Sequence, residues 1–114
     1  MTQQQTLSVE QALELAVHHH QTGRLADAEH IYVSILHSHP NHPDALHLLG
    51  VIASHRGDNA LAVELILKAV SIRPKHADAH NNIGNAYRKL RLREKAIESY
   101  KLAYKLNNNF LEAK

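Results

Sequence analysis

The 114-residue sequence predicts an all-α fold in which one pair of helices is repeated three times. Composition is the first observation, because aromatic residues make up only 4% and the apolar residues are mainly alanine, leucine, isoleucine and valine. The second is a 34-residue period, a length that holds two short helices. The period relates the following residues: Gly50 and Gly84; Pro40 and Pro74; Ala28, Ala62 and Ala96; Tyr32, Ile66 and Tyr100.

The repeat divides the chain into units at residues 9–42, 43–76 and 77–110. A polar N-terminal segment, residues 1–8, precedes them and is expected to be flexible. Residues 111–114 resemble the openings of the second and third units, so we expect them to start a truncated fourth repeat.

Residues that begin and end helices fall at matching places in the units. Ser8 and Gln11 predict a capping box at the start of the first helix. Gly23 and Gly57 suit the left-handed residue that ends a helix. Arg91 stands where a third glycine is expected, and arginine adopts that conformation poorly, so the turn around it is the least defined boundary.

Charge and composition exclude several classes of protein. Residues 1–55 carry one basic and five acidic residues, a net charge of −4, whereas residues 56–114 carry twelve basic and six acidic residues, a net charge of +6. The absence of cysteine excludes disulfides. No apolar run approaches the ~18 residues that a membrane span needs, and no secretory leader is visible. We therefore expect a soluble, cytoplasmic protein with no membrane partner.

The repeat resembles the tetratricopeptide repeat (TPR) family. Repeat three carries the family pattern in Ile83, Gly84, Tyr87, Ala96, Tyr100 and Ala103. The resemblance implies a right-handed superhelical α-solenoid of three antiparallel helix pairs, in which the first helix of each pair lines a concave groove. It also implies a protein-interaction scaffold that binds a peptide or protein segment. The repeats are similar to those that precede bacterial O-linked N-acetylglucosamine transferase-like domains, so a recruiting segment of a larger glycosyltransferase-like enzyme is the alternative.

The groove residues that the resemblance implies are Leu13, Val17, His20, His47, Leu48, Val51, His55, Asn81, Asn82, Asn85, Arg88 and Lys89. The three asparagines are poor helix formers, but an amide can both donate to and accept from a peptide backbone. Leu13, Val17 and Leu48 stand where chaperone-binding members need a lysine or asparagine for their carboxylate clamp, which argues against a chaperone co-factor. A groove that is apolar at one end and basic at the other favours an extended peptide with some acidic character.

The sequence gives little support for an enzymatic activity, a bound metal or cofactor, or a nucleic-acid partner. It contains no pairing of a nucleophile with a base and no glycine-rich phosphate loop, so we predict no catalytic residues and no cofactor. His20, His47 and His55 would approach one another in the groove, but without cysteine or an HExxH helix we predict no metal site. The basic residues between Arg88 and Lys95 lack interleaved aromatic residues, so no nucleic-acid partner is predicted.

The last helix carries an apolar edge without a following unit to cover it, formed by Ile97, Tyr100, Ala103 and Tyr104. A chain that continues beyond Lys114 would explain this edge. Our other hypothesis is homo-oligomer formation, by exchange of a terminal helix pair or by head-to-tail contact between the acidic and basic ends. Protonation of the histidines in the acidic half would then weaken self-association at low pH.

Overall fold

The structure, a computed structural model, describes residues 7–112, and side chains as far as residue 107. Six helices make up this part of the chain, which contains no strand: α1 (Val9–Gln21), α2 (Leu25–Ser38), α3 (Pro43–His55), α4 (Asn59–Ile72), α5 (Ala77–Lys89) and α6 (Arg93–Glu112). Each odd-numbered helix packs on the next helix to form a pair, and successive pairs stack on one another. The predicted all-α solenoid is confirmed.

The first helix of each pair begins at an N-cap in the same position of the repeat. The caps are Ser8, His42 and His76, and each accepts the backbone N–H three residues further on, at 3.1, 3.2 and 3.1 Å. The predicted capping box is confirmed, because Gln11 Oε1 also accepts the Ser8 N–H. His42 and His76 are thus capping residues that use Nδ1 as the acceptor.

The turn inside each pair is the same although one residue type changes. Gly23, Gly57 and Arg91 all have positive φ, at 83°, 90° and 66°. The helices of the third pair therefore end and begin where the period predicts. An L-residue in this conformation costs about 1–2 kcal/mol that glycine avoids, so Arg91 adopts it against its local preference.

Small residues allow the two helices of a pair to approach closely where they cross. A Cβ added to Gly50 would lie 2.5 Å from Ile66 Cγ1, and one added to Gly84 would lie 2.7 Å from the Tyr100 ring. Alanines pack at related positions, and Ala28 and Ala62 are fully buried. Glycine is therefore required at Gly50 and Gly84 because a side chain of the second helix lies against the backbone of the first.

The third unit ends differently from the other two. Pro40 and Pro74 follow the ends of α2 and α4, whereas α6 continues through the matching position, Asn108, to Glu112. Asparagine retains the backbone N–H that proline lacks, so the helix is not interrupted. Residues 111–112 belong to α6, and the start of a fourth repeat at residues 111–114 stays a prediction. The rest of the predicted fourth repeat, and residues 1–6 of the N-terminal segment, lie outside the described residues.

Candidate peptide-binding groove

A small cleft of about 60 Å³ lies between α3 and α5, with α4 beneath it. Its lining residues are Val51, Ser54, His55, Ile66, Asn82, Asn85 and Lys89. Five of these belong to the predicted groove set. Ser54 and Ile66 complete the cleft, and the 34-residue period identifies Ile66 as the counterpart of Tyr32 and Tyr100.

The N-terminal end of the groove is apolar and partly occupied by histidines. Leu13 and Leu48 are half-buried and pack against the core between the first two pairs, and Val17 is also half-buried. His20 lies nearby, with Nδ1 3.4 Å from the Tyr32 hydroxyl and its ring 6.0 Å from that of His55. Burial, and then the neighbouring His55, lower the pKa of His20.

His47 does not line the groove, contrary to the prediction. The side chain is only 6% exposed, and its Nε2 lies 2.8 Å from Asn82 Nδ2 on α5. Burial and the ring of His76, whose centroid is 5.0 Å away, lower the pKa of His47 to about 4. The neutral ring therefore accepts a hydrogen bond from the Asn82 amide and joins α3 to α5.

Asn82 and Asn85 each use one amide atom inside the fold. Asn82 donates to His47, and Asn85 Oδ1 accepts a 2.6 Å hydrogen bond from the Tyr100 hydroxyl. The remaining atoms, Asn82 Oδ1 and Asn85 Nδ2, have no hydrogen-bond partner among the described residues. Both residues border the cleft, so each amide is fixed from one side and offers one polar atom to the groove. Asn81 is exposed.

Two cations stand at the C-terminal end of the groove. Lys89 Nζ donates to Ser54 Oγ at 3.2 Å, and Ser54 Oγ in turn donates to Asn59 Oδ1 at 3.0 Å. Arg88 Nε donates to the Tyr100 hydroxyl at 3.2 Å. No carboxylate lines the cleft, so this end of the groove attracts negative charge.

Only part of the predicted self-association edge is open. Ile97 is 44% exposed and Tyr104 is exposed, but Ala103 is 5% exposed and belongs to the interior. Tyr100 is half-buried, because its ring contacts the backbone at Gly84 and its hydroxyl is bound by Asn85 and Arg88. Ala103 is therefore buried and does not form part of an open edge.

Within the described residues, no group of three or more histidine, cysteine, aspartate or glutamate residues is arranged to hold a metal ion. The ring of His47 is directed to His76, so it does not join His20 and His55 in the groove. No helix in the same part of the chain is both long enough and apolar enough to cross a membrane.

Comparison with known proteins agrees with this architecture. Two tetratricopeptide repeat models match the sequence, at residues 13–77 and 77–110. No curated protein matches it significantly. A crystal structure of MamA is similar, with 24% sequence identity and a TM-score of 0.80 over 92% of this chain and 61% of MamA. The chain thus spans less than two thirds of that relative.

A second similar structure is the first TPR of Spaghetti (RPAP3), bound to the HSP90 peptide SRMEEVD. Its sequence identity is 19% and its TM-score 0.82, over 89% of this chain and 80% of that one. At these identities the likeness concerns the fold. The family models, in contrast, cover most of the sequence, and the chain belongs to the tetratricopeptide repeat family.

Proposed function

We propose that the chain is a non-enzymatic protein-interaction scaffold whose concave groove binds an extended peptide with acidic character. The observation that carries this proposal is the pair of fixed amides on α5. Asn82 and Asn85 are held by His47 and Tyr100, so their outward atoms are already positioned for a peptide backbone. Preorganisation of this kind reduces the entropy that is lost on binding.

Charge and hydropathy indicate the character of the peptide. Arg88 and Lys89 border one end of the groove, and Leu13, Val17 and Leu48 lie towards the other. A ligand with apolar side chains at one end and acidic ones at the other complements both. The RPAP3 relative supports the proposal, because a similar fold there holds a peptide that contains acidic residues.

The test compares two fluorescein-labelled heptapeptides by fluorescence anisotropy, one with acidic and one with basic residues among the same apolar ones. We expect the acidic peptide to bind more tightly. The variant Asn85→Asp keeps the oxygen that accepts from Tyr100 but replaces the outward amide nitrogen with a carboxylate oxygen. We expect it to weaken binding by about tenfold or more while the melting temperature stays close to that of the wild type.

Asn41→Asp is the matched control, because Asn41 is exposed in the turn before α3 and the substitution adds the same charge. Equal binding of the two peptides would contradict the proposed ligand class. Equal weakening by both substitutions would show that net charge, and not the groove amide, controls binding.

Two further predictions accompany the proposal. A cytoplasmic location is one, and a homo-oligomer formed by exchange of a terminal helix pair is the other. Light scattering over a concentration series at pH 7.5 tests the oligomer, which a constant monomer mass would rule out. An association unchanged between pH 5.5 and 8 would contradict the predicted role of the histidines. No observation favours the alternative of a glycosyltransferase-like enzyme over the scaffold.

A further inference from the structure

A second and larger cleft, outside the groove proposal, lies at the C-terminal end of the solenoid. Its volume is about 600 Å³, and its lining residues are Arg88, Arg91, Arg93, Ala96, Ile97 and Tyr100. Three arginines thus surround an apolar floor, and no carboxylate is among the lining residues. Glu94 belongs to the same turn of α6 but does not line the cleft. We call this surface the arginine cleft.

Local stability does not explain the arginines. Arg91 has a φ of 66° at a position where the other two repeats place glycine. Arg93 is the first residue of α6, where the partial positive charge of the helix N-terminus disfavours a cation. The matching residues in the other units are Leu25 and Asn59. Residues that oppose local preferences concentrate at functional sites, which indicates that the positive charge of Arg91 and Arg93 serves binding.

The packing of α5 on α4 shows how a helix could dock on α6 at the C-terminal end of the solenoid. Val63 on α4 packs in one cluster with Ala86 of α5, the helix that follows. Ile97 lies 34 residues after Val63 and is 44% exposed. A helix that docked on α6 as α5 docks on α4 would therefore cover Ile97. The buried stripe of α5, Ala79, Ile83 and Ala86, gives the required spacing of apolar residues, at i, i+4 and i+7.

The same comparison gives the direction of the docked helix. Lys89, the last residue of α5, contacts Ser54 near the end of α3, and Ser54 contacts Asn59 at the start of α4. Arg88 and Arg93 lie 34 residues after Ser54 and Asn59, so they hold the equivalent positions in the third unit. The C-terminal turn of a docked helix would hence lie against these arginines, which attract acidic side chains and the free carbonyl groups of a helix end.

We propose that the arginine cleft binds an amphipathic helix of a partner protein, through apolar residues at i, i+4 and i+7 and acidic residues in its C-terminal turn. Apolar contact supplies most of the affinity, and the arginines select the partner by charge. The partner is thus recognised at the end of the stack, on a surface separate from the peptide groove except for Arg88.

The first helix of a second copy fits this cleft poorly. Gln11 and His18 on α1 stand where α3 has the buried residues Ala45 and Ile52, so the outer face of α1 is polar. Its acidic residues lie in the first half of the helix, whereas its last turn contains three histidines. Head-to-tail stacking would therefore bring no acidic residues to the arginines.

A nucleic acid is also disfavoured as the occupant. Base stacking needs an accessible aromatic face, but the Tyr100 ring contacts the backbone at Gly84, and Asn85 and Arg88 hold its hydroxyl. The floor of the cleft, with Ala96 and Ile97, suits apolar side chains instead.

The test uses the 114-residue chain and a fluorescein-labelled helical peptide of 15 residues, with alanine, isoleucine and alanine at i, i+4 and i+7 and three glutamates in the last turn. The comparison peptide has the same composition, but its glutamates are in the first turn. We expect the first peptide to bind about tenfold more tightly at 50 mM NaCl and more weakly at 500 mM, because salt screens exposed charges.

Two substitutions remove charge and introduce residues that the other repeats have at the same positions. Arg91→Gly gives the turn the residue of the other repeats, and Arg93→Asn gives α6 the first residue of α4. Each should weaken binding by about two- to fivefold, the range expected for an exposed ion pair, and the double variant by about tenfold. Arg24→Ala is the control, because that exposed arginine makes no side-chain cap and lies at the other end. Arg91 and Arg93 do not line the groove cleft, so the same two substitutions should leave the affinity of the acidic heptapeptide nearly unchanged, which separates this site from the groove.

Four results would overturn the proposal. Equal affinity of the two peptides would show that the position of the glutamates along the helix does not affect binding. Unchanged binding by the double variant would place the peptide elsewhere. Tighter binding of a 12-nucleotide single strand than of the acidic peptide would assign the cleft to nucleic acid. A doubled mass in light scattering that returns to the monomer mass when the acidic peptide is added would make a second copy the occupant.

Discussion

Acid should destabilise this protein through one buried side chain, His47. The ring is 6% exposed, accepts a hydrogen bond from Asn82 and lies 5.0 Å from the ring of His76. The facing carboxylates, Asp78 and Asp44, oppose the effects of burial and of His76 but do not cancel them, so the pKa of His47 falls to about 4. The folded protein therefore resists protonation of this ring.

The size of the effect follows from proton linkage. In the unfolded chain the His47 pKa is about 6.5, so between pH 6.5 and pH 4 the unfolded state binds more protons than the folded state. The contribution of His47 to stability is complete above pH 6.5 and is lost as the pH falls towards 4. The loss is about 2 kcal/mol at pH 5 and about 3 kcal/mol below pH 4. Burial also lowers the pKa of His20, which acts in the same direction.

Urea denaturation followed by circular dichroism at pH 7, 6, 5 and 4.5 measures this loss. The comparison is His47→Gln, which does not titrate and can still accept from Asn82 through its amide oxygen. We expect the variant to lose about 2 kcal/mol less than the wild type between pH 7 and pH 5. Equal losses in the two proteins would refute the reasoning, because the acid sensitivity would then belong to other groups. His55→Gln, an exposed neighbour in the groove, controls for the removal of one imidazole.

Three further predictions concern stability at pH 7, and denaturation measures each. Arg91→Gly should stabilise by up to about 1 kcal/mol, because relief of the positive φ exceeds the added entropy of glycine in the unfolded chain; a destabilised variant would contradict this. Gly50→Ala should destabilise by about 1–2 kcal/mol, since overpacking against Ile66 exceeds the gain in helix propensity, and an unchanged midpoint would refute the contact. Ser8→Ala should cost about 1 kcal/mol through loss of the capping box, whereas substitution of the exposed Ser34 should cost less.

The sequence predicts most of the fold because the determinants of the fold recur. Ser8, Gly23 and Gly57 act through local backbone geometry, and Gly50 and Gly84 act through a crossing that is repeated in each pair. A period of 34 residues makes each assignment independent evidence for the others. The exception is the end of α6. Asn108 stands there in place of the proline of the other two units, so the repeat does not predict where this helix ends.

The groove was less predictable because one polar atom of a groove residue can bond within the fold while another faces the groove. Position in the repeat places His47, Asn82 and Asn85 on the first helices, but it does not show which polar atoms are used within the fold. Histidine adds a second difficulty, since it serves here as a helix cap at His42 and as a buried acceptor at His47. Neither use has a spacing that distinguishes it from an exposed imidazole.

Comparison of the three units explains why the polar residues of the groove are coupled to packing. In the outer units, a tyrosine of the second helix reaches the first helix: Tyr32 contacts His20, and Tyr100 contacts Arg88 and Asn85. The middle unit has Ile66 instead, which has no hydroxyl, and its groove residue Ser54 bonds to Asn59 and Lys89.

The hydrogen bonds of the outer units thus hold a pair together, whereas the Lys89 contact with Ser54 links one pair to the next. A ligand that engages Lys89 therefore competes with a contact between repeats, while one that engages Asn85 Nδ2 leaves the Tyr100 bond intact. Binding through the amides preserves the arrangement of the stack, and binding through Lys89 releases one of the contacts that fix the second and third pairs relative to each other.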